Sequence, residues 1–295
     1  MCFLVVLKFR PEAFLRHVMS TMIRLAAAHV FFFLFATLSP TTVSMPPSFA
    51  AAWAVVEPEP EPVRAIDPAP DFRAYVAGPA RKAEFLKFFG PLIAAENNRV
   101  LSQRRRLEYI AVKSELTDAE SAWIARMAAD YKLERKEADQ AALIGPLLQR
   151  VDVVPVSLAL AQAAKESAWG TSRFAVEGNN FFGEWCFRPG CGIVPLLRAA
   201  HRKHEVEAFS SASASVGSYL RNLNTHANYS SFRMARGALR ESGRPLSGLL
   251  LADELTGYSE RREDYVEEVK HLIRINRLTD VPLRPDAQHS VDAGG

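Results

Sequence analysis

One run limits what this chain can become: Val154-Pro155-Val156-Ser157-Leu158-Ala159-Leu160-Ala161-Gln162-Ala163-Ala164-Lys165-Glu166-Ser167-Ala168-Trp169-Gly170. Pro155 suits a helix start, where its missing N–H would be unpaired anyway. Dense Ala and Leu then favour helix, and Gly170 predicts its stop. The run is apolar on nearly every face until Lys165 and Glu166, so the helix belongs in a core. Glu166 therefore falls at the C-terminal end of a buried helix. Apolar surroundings and the negative end of the helix dipole both favour a protonated carboxyl there. A general acid working near neutral pH needs that environment.

Downstream, Thr171-Ser172-Arg173-Phe174-Ala175 leads into Gly178-Asn179-Asn180-Phe181-Phe182-Gly183-Glu184-Trp185, where amides alternate with aromatics. Sugar rings stack on aromatic faces and sugar hydroxyls bond to amides. An acid, amides and platforms within twenty residues predict a carbohydrate cleft, with Asn180, Phe182 and Trp185 as its sugar-binding residues.

The stretch Ala161–Ala175, followed by Gly178–Gly183, resembles the signature of the bacterial glucosaminidase family, glycoside hydrolase family 73. Trp185-Cys186 and Cys191-Gly192-Ile193-Val194-Pro195 make it most similar to that family's Bax-like branch. The resemblance runs from about Arg81 to Leu278, with its specific motifs between Asp152 and Tyr265. It implies a mainly α, lysozyme-like domain with a small β-hairpin lobe, and cleavage of peptidoglycan beside N-acetylglucosamine. Glu166 matches the family's catalytic Glu. A second carboxylate on the β lobe directs attention to Glu205 and then Glu207, although the longer acidic hairpin of some members is missing. Glu184, beside the aromatic loop, is a third candidate. Tyr229 resembles the family's cleft tyrosine. Tyr258 and Tyr265 fit its late Tyr-rich segment, with Tyr265 assigned to packing. After proton donation by Glu166, either water or the substrate's own acetamido group attacks the anomeric carbon. A lytic transglycosylase on a related fold and a wall-binding protein that no longer cleaves are the competing readings.

The 295-residue length and 48% apolar content allow an ample core. A net charge of +3 is too mild to indicate nucleic acid, and no basic stripe with interleaved aromatics occurs. Residues 1–52 read as a targeting segment: Ile23-Arg24, the apolar run Leu25–Leu38, then Ser48-Phe49-Ala50 as a cleavage pattern. Met19 or Met22 would be a more usual start than Met1. Left uncleaved, this segment would be the chain's sole membrane contact. Export to the periplasm or cell envelope is the expectation. Glu57-Pro58-Glu59-Pro60-Glu61-Pro62 marks residues 53–78 as an extended linker.

From Ala80 a helical period carries Phe85, Phe88, Phe89, Leu92 and Ile93, then Val100, Leu107 and Ile110. Thr117-Asp118-Ala119-Glu120 has capping-box spacing before Trp123. Residues 79–150 are thus expected to form a helical collar on a catalytic domain at 151–278. Cys186 and Cys191, with four residues between them in an exported segment, predict a local disulfide. With only His201 and His204 scattered nearby they make a poor zinc site, so neither a metal nor a cofactor is expected. Gly192–Pro195 and Glu205–Phe209 read as short strands. Helices return after Ser210 or Ser211, near Tyr229, at Pro245 and from Tyr258 to Arg277, before a polar tail at 279–295.

Overall fold

The computed structural model describes residues 68–133, 140–198 and 201–281. The targeting segment, most of the linker and the end of the tail lie outside the described residues. None of the described helices is long and apolar enough to cross a membrane.

The first long helix, α1 (Pro79–Ala111), starts on a proline, as a helix tolerates in its first turn. Its apolar stripe serves two cores. Phe85, Phe88, Phe89, Leu92 and Ile93 enter a large one, while Val100, Leu107 and Ile110 enter a smaller one. The smaller core is completed by α2 (Asp118–Asp130) and α3 (Ile144–Arg150) through Trp123, Ile124, Met127, Ile144 and Leu147. Thr117 opens α2 with the expected capping box: its Oγ1 accepts from Glu120 N–H at 3.2 Å, and Glu120 Oε2 accepts from Thr117 N–H at 2.9 Å. Because one helix is shared, the collar is continuous with the body that it packs on.

The central helix, α4 (Val156–Glu166), is entered through a tightly held turn. Asn97 grips Val154 with two hydrogen bonds, its amide donating to the carbonyl at 2.8 Å and its oxygen accepting from the N–H at 3.0 Å. Buried Asp152 accepts from Arg240 at 2.6 and 2.8 Å, and its carbonyl accepts from Arg236 and Asn224. A buried charge survives only when paired in this way. All eight residues from Ser157 to Ala164 are buried, and α4 packs against α1 and two later helices.

The helix ends at Glu166 and not at Gly170. Ala168, Trp169 and Gly170 take φ of 50°, 58° and 79°, three successive left-handed residues. Buried Ser167 makes this turn pay: its hydroxyl donates to Ala163 O at 2.6 Å and accepts from Gly170 N–H at 2.8 Å. A Cβ on Gly170 would lie 2.2 Å from the Phe72 ring, so only glycine fits. The chain is thereby reversed directly behind the carboxylate.

After α5 (Arg173–Gly178) comes a three-stranded sheet of β1 (Trp185–Cys186), β2 (Gly192–Ile193) and β3 (Glu205–Glu207). β3 is central and antiparallel to both neighbours. Two strands were expected; β1 is the additional one, too short to show a period-2 pattern. Next come α6 (Ala212–Thr225), capped by Ser211, α7 (Ser230–Glu241), α8 (Gly248–Ala252) and α9 (Arg262–Ile275). Ser247, not Pro245, begins α8: its hydroxyl accepts from Leu250 N–H. The architecture is mainly α with a small β lobe, as a lysozyme-like domain requires.

Candidate active site

Glu166 is half-buried at the end of α4. Burial raises its pKa, and the nearby Glu268 charge adds to the rise; a hydrogen bond from Tyr265 and the Lys165 charge oppose it. Lys165 itself is held by Glu268, which Arg261 also clamps at 2.5 and 3.0 Å.

A chain of hydrogen bonds reaches Glu166 from the core. Tyr219 of α6 donates its hydroxyl to Gln162 Oε1 at 2.6 Å, and Gln162 Nε2 donates to the Tyr265 hydroxyl oxygen at 2.9 Å. The Tyr265 proton is then available to Glu166. Gln162 and Glu166 lie four residues apart, one turn of α4, and so share a face. The expectation that Tyr265 merely packs is therefore corrected. Gln162 carried the missed signal: a polar residue inside an apolar helix must find partners when buried.

The Gly178–Trp185 loop passes beside the carboxyl. A Cβ on Gly183, whose φ is 70°, would stand 3.5 Å from Glu166 Oε2. Asn180 holds this loop together. Its Nδ2 donates to the carbonyls of Glu184 and Glu207 at 2.9 and 2.8 Å, and its Oδ1 accepts from the N–H groups of Phe182 and Glu184. Its amide has no capacity left for a sugar. Phe182 is 1% exposed and stacked on Tyr219 at 4.0 Å. Both expected sugar contacts are thus reassigned to the framework. Trp185, 49% exposed and stacked on His204 at 4.0 Å, keeps an accessible aromatic surface.

Tyr229 is buried, 6.0 Å from the Tyr258 ring, and burial with the Glu184 charge pushes its pKa up to about 12. It is a neutral phenol at physiological pH. Tyr258 stacks on Tyr265 at 5.4 Å and donates to Phe182 O at 2.9 Å, so the tyrosines tie loop and α9 together.

Glu205 does something other than expected. Its two oxygens accept from Gly190 N–H at 3.0 Å and Gly192 N–H at 2.9 Å, which holds its pKa below the ordinary value. These amides flank Cys191, whose disulfide with Cys186 closes the same loop across a Cα–Cα distance of 6.2 Å. Glu205 is occupied as the anchor of that loop. Glu207, two residues further along β3, is half-buried, pairs in register with Gly192 of β2 and donates its N–H to Glu184 O at 2.9 Å. Among the described residues, the cluster of metal-ligating types is Cys186, Cys191 and Glu205, and its sulfurs are bonded to each other.

Residues 142–278 match the family model Glucosaminidase, described as mannosyl-glycoprotein endo-beta-N-acetylglucosaminidase. Protein bax of Escherichia coli (strain K12) is 34% identical over 196 residues, which cover 66% of this chain and 70% of that protein. No solved structure matches. The region matched by the family model includes Glu166, the loop beside it and the tyrosines. The chain belongs to the glucosaminidase family.

Proposed function

We propose that this protein is a peptidoglycan hydrolase that cuts the glycan strand at N-acetylglucosamine, with Glu166 as general acid. The observation that carries this reading is the Glu166 carboxyl, half-buried at a helix end with its pKa raised and a tyrosine hydroxyl aimed at it. Burial favours the protonated form of this carboxyl, which delivers its proton to the glycosidic oxygen as the bond to the anomeric carbon breaks. Trp185 offers its exposed face to a neighbouring sugar, and Tyr229 offers a neutral hydroxyl to the developing charge. Work on the cell wall places the protein outside the cytoplasm, and the apolar run near its N-terminus and the Cys186–Cys191 disulfide support that.

The test is clearing of purified peptidoglycan by the full chain and by Glu166→Gln. The variant is expected to lose at least about a hundredfold in rate while still sedimenting with the polymer. Equal clearing by the two proteins would refute the assignment.

A further inference from the structure

A second carboxyl at the site is unexplained by the proton donor alone. Glu184 Oε2 is buried and has no hydrogen-bond partner. Buried polar atoms in folded proteins are nearly always paired, because an unpaired one loses its water for nothing. Glu184 also has a place in the site. It follows Gly183, which lies against Glu166, so its Cα is within about 9 Å of Glu166 Oε2 by chain geometry.

Its surroundings come from several parts of the fold. Ser218 and Asn222 of α6 hydrogen-bond to the carboxyl, Glu207 of β3 adds a like charge, and Tyr229, Tyr219 and Tyr258 lie within electrostatic reach. Lys132 is the cation that acts on it. Burial is the largest influence and lifts the Glu184 pKa to about 7. Glu205 is engaged by the disulfide loop, whereas Glu184, next to the glycine that lies against Glu166, keeps a buried oxygen without a partner.

We infer that Glu184 is a substrate-contacting residue whose Oε2 accepts the N–H of the 2-acetamido group on the sugar being cleaved. The inference rests on the glucosaminidase reading and deepens it. An N-acetylhexosamine carries one nitrogen donor, and that donor is the amide next to the anomeric carbon. Held by its N–H, the amide turns its carbonyl oxygen toward C1. A lone pair of that oxygen forms a bond to C1 while the C1–O bond to the leaving sugar breaks. The electron pair of the broken bond takes the proton of Glu166. Positive charge spreads onto the amide nitrogen, and the Glu184 carboxylate stabilises it through the N–H. Water then attacks C1, the C1–carbonyl oxygen bond opens to restore the amide, and the water's proton goes to the Glu166 carboxylate. The product is the retained sugar with a new hydroxyl.

The test compares the full chain with Glu184→Gln and Glu184→Asp, using peptidoglycan as substrate and the thiazoline analogue of N-acetylglucosamine, which mimics the cyclised amide, as ligand. Glu184→Gln keeps the shape and removes the charge. Its cleavage rate is expected to fall on the order of a hundredfold, with thiazoline affinity falling at least about tenfold and an unfolding midpoint no lower than that of the parent. Glu184→Asp keeps the charge at shorter reach and is expected to regain part of both. Cleavage or thiazoline binding at the parental level in Glu184→Gln would overturn the inference and leave the Glu166 reading standing. A parent chain that neither cleaves peptidoglycan nor binds the thiazoline would overturn both.

Discussion

Gln162 Nε2 donates to the Tyr265 hydroxyl oxygen at 2.9 Å, so the hydroxyl's own proton is directed elsewhere, toward Glu166. Tyr219 completes the arrangement by donating to the other end of the Gln162 amide at 2.6 Å. The direction of the whole chain is thus set by one glutamine in the helix that carries the acid. A tyrosine so oriented fixes the carboxyl in place and draws its pKa down against the effect of burial.

Tyr265→Phe removes that restraint. The Glu166 pKa then rises further, and the alkaline limb of the pH–rate profile, where the acid loses its proton, moves to higher pH. Turnover is expected to fall about tenfold because the carboxyl is less well placed. Rates measured from pH 5 to 9 check this; a limb that stays put or moves to lower pH contradicts it.

Gln162→Leu strands the Tyr219 hydroxyl in the core and removes the donor that turns the Tyr265 proton toward Glu166. An unpaired buried hydroxyl costs about 1–3 kcal/mol. Urea unfolding is therefore expected to show a clear loss, with a cleavage defect at least as large as that of Tyr265→Phe.

The Glu184 carboxyl gives stability a particular pH dependence. Its folded pKa, raised to about 7, lies above that of an unfolded-chain Glu, so the folded protein binds the extra proton. Its contribution to stability is greatest at low pH and is lost as pH rises through the interval from about 4.3 to 7. Glu184→Gln removes this loss. The variant is expected to gain on the order of 3 kcal/mol at pH 8, as an upper bound, and almost nothing at pH 4. Denaturant midpoints at the two pH values decide the matter, and an equal effect at both would contradict it.

Gly183→Ala is expected to damage the site more than the fold. The residue's φ of 70° penalises any side chain by about 1–2 kcal/mol, and the new methyl would stand 3.5 Å from Glu166 Oε2, crowding the proposed proton donor. Catalysis falling at least about tenfold with the disulfide and helix content intact is the predicted result, readable from kinetics and circular dichroism.

Glu205→Gln separates the two β-lobe glutamates. An amide nitrogen placed against Gly190 or Gly192 N–H would lower the unfolding temperature, yet cleavage is expected to change by less than about twofold. A collapse of cleavage in a folded variant would return Glu205 to the reaction.

Much of this was legible in the chain. The apolar density of Val154–Ala164 places the central helix, Thr117 and Glu120 announce their cap, and Cys186 and Cys191 announce their bond. Each signal is local, carried by residues near one another in sequence. The failures are long-range. Nothing near Asn180 says that its amide is taken by the carbonyls of Glu184 and Glu207, and nothing near Phe182 says that Tyr219 covers its ring. Gln162 and Tyr265 are 103 positions apart, so packing set by the whole domain decides that they meet. The early end of α4 was hidden for another reason: Ala168 and Trp169 adopt a backbone that their residue types disfavour, and Ser167 and Phe72 impose it from outside.

The most direct measurement is the identity of the new chain ends. Purified peptidoglycan is digested with the full chain, reduced with borohydride and analysed by mass spectrometry. Reduced N-acetylglucosamine ends that are absent after digestion with Glu166→Gln are the predicted result. Anhydro-muramic ends would instead make the protein a lytic transglycosylase, and no new ends at all would make it a wall-binding protein; either contradicts the account.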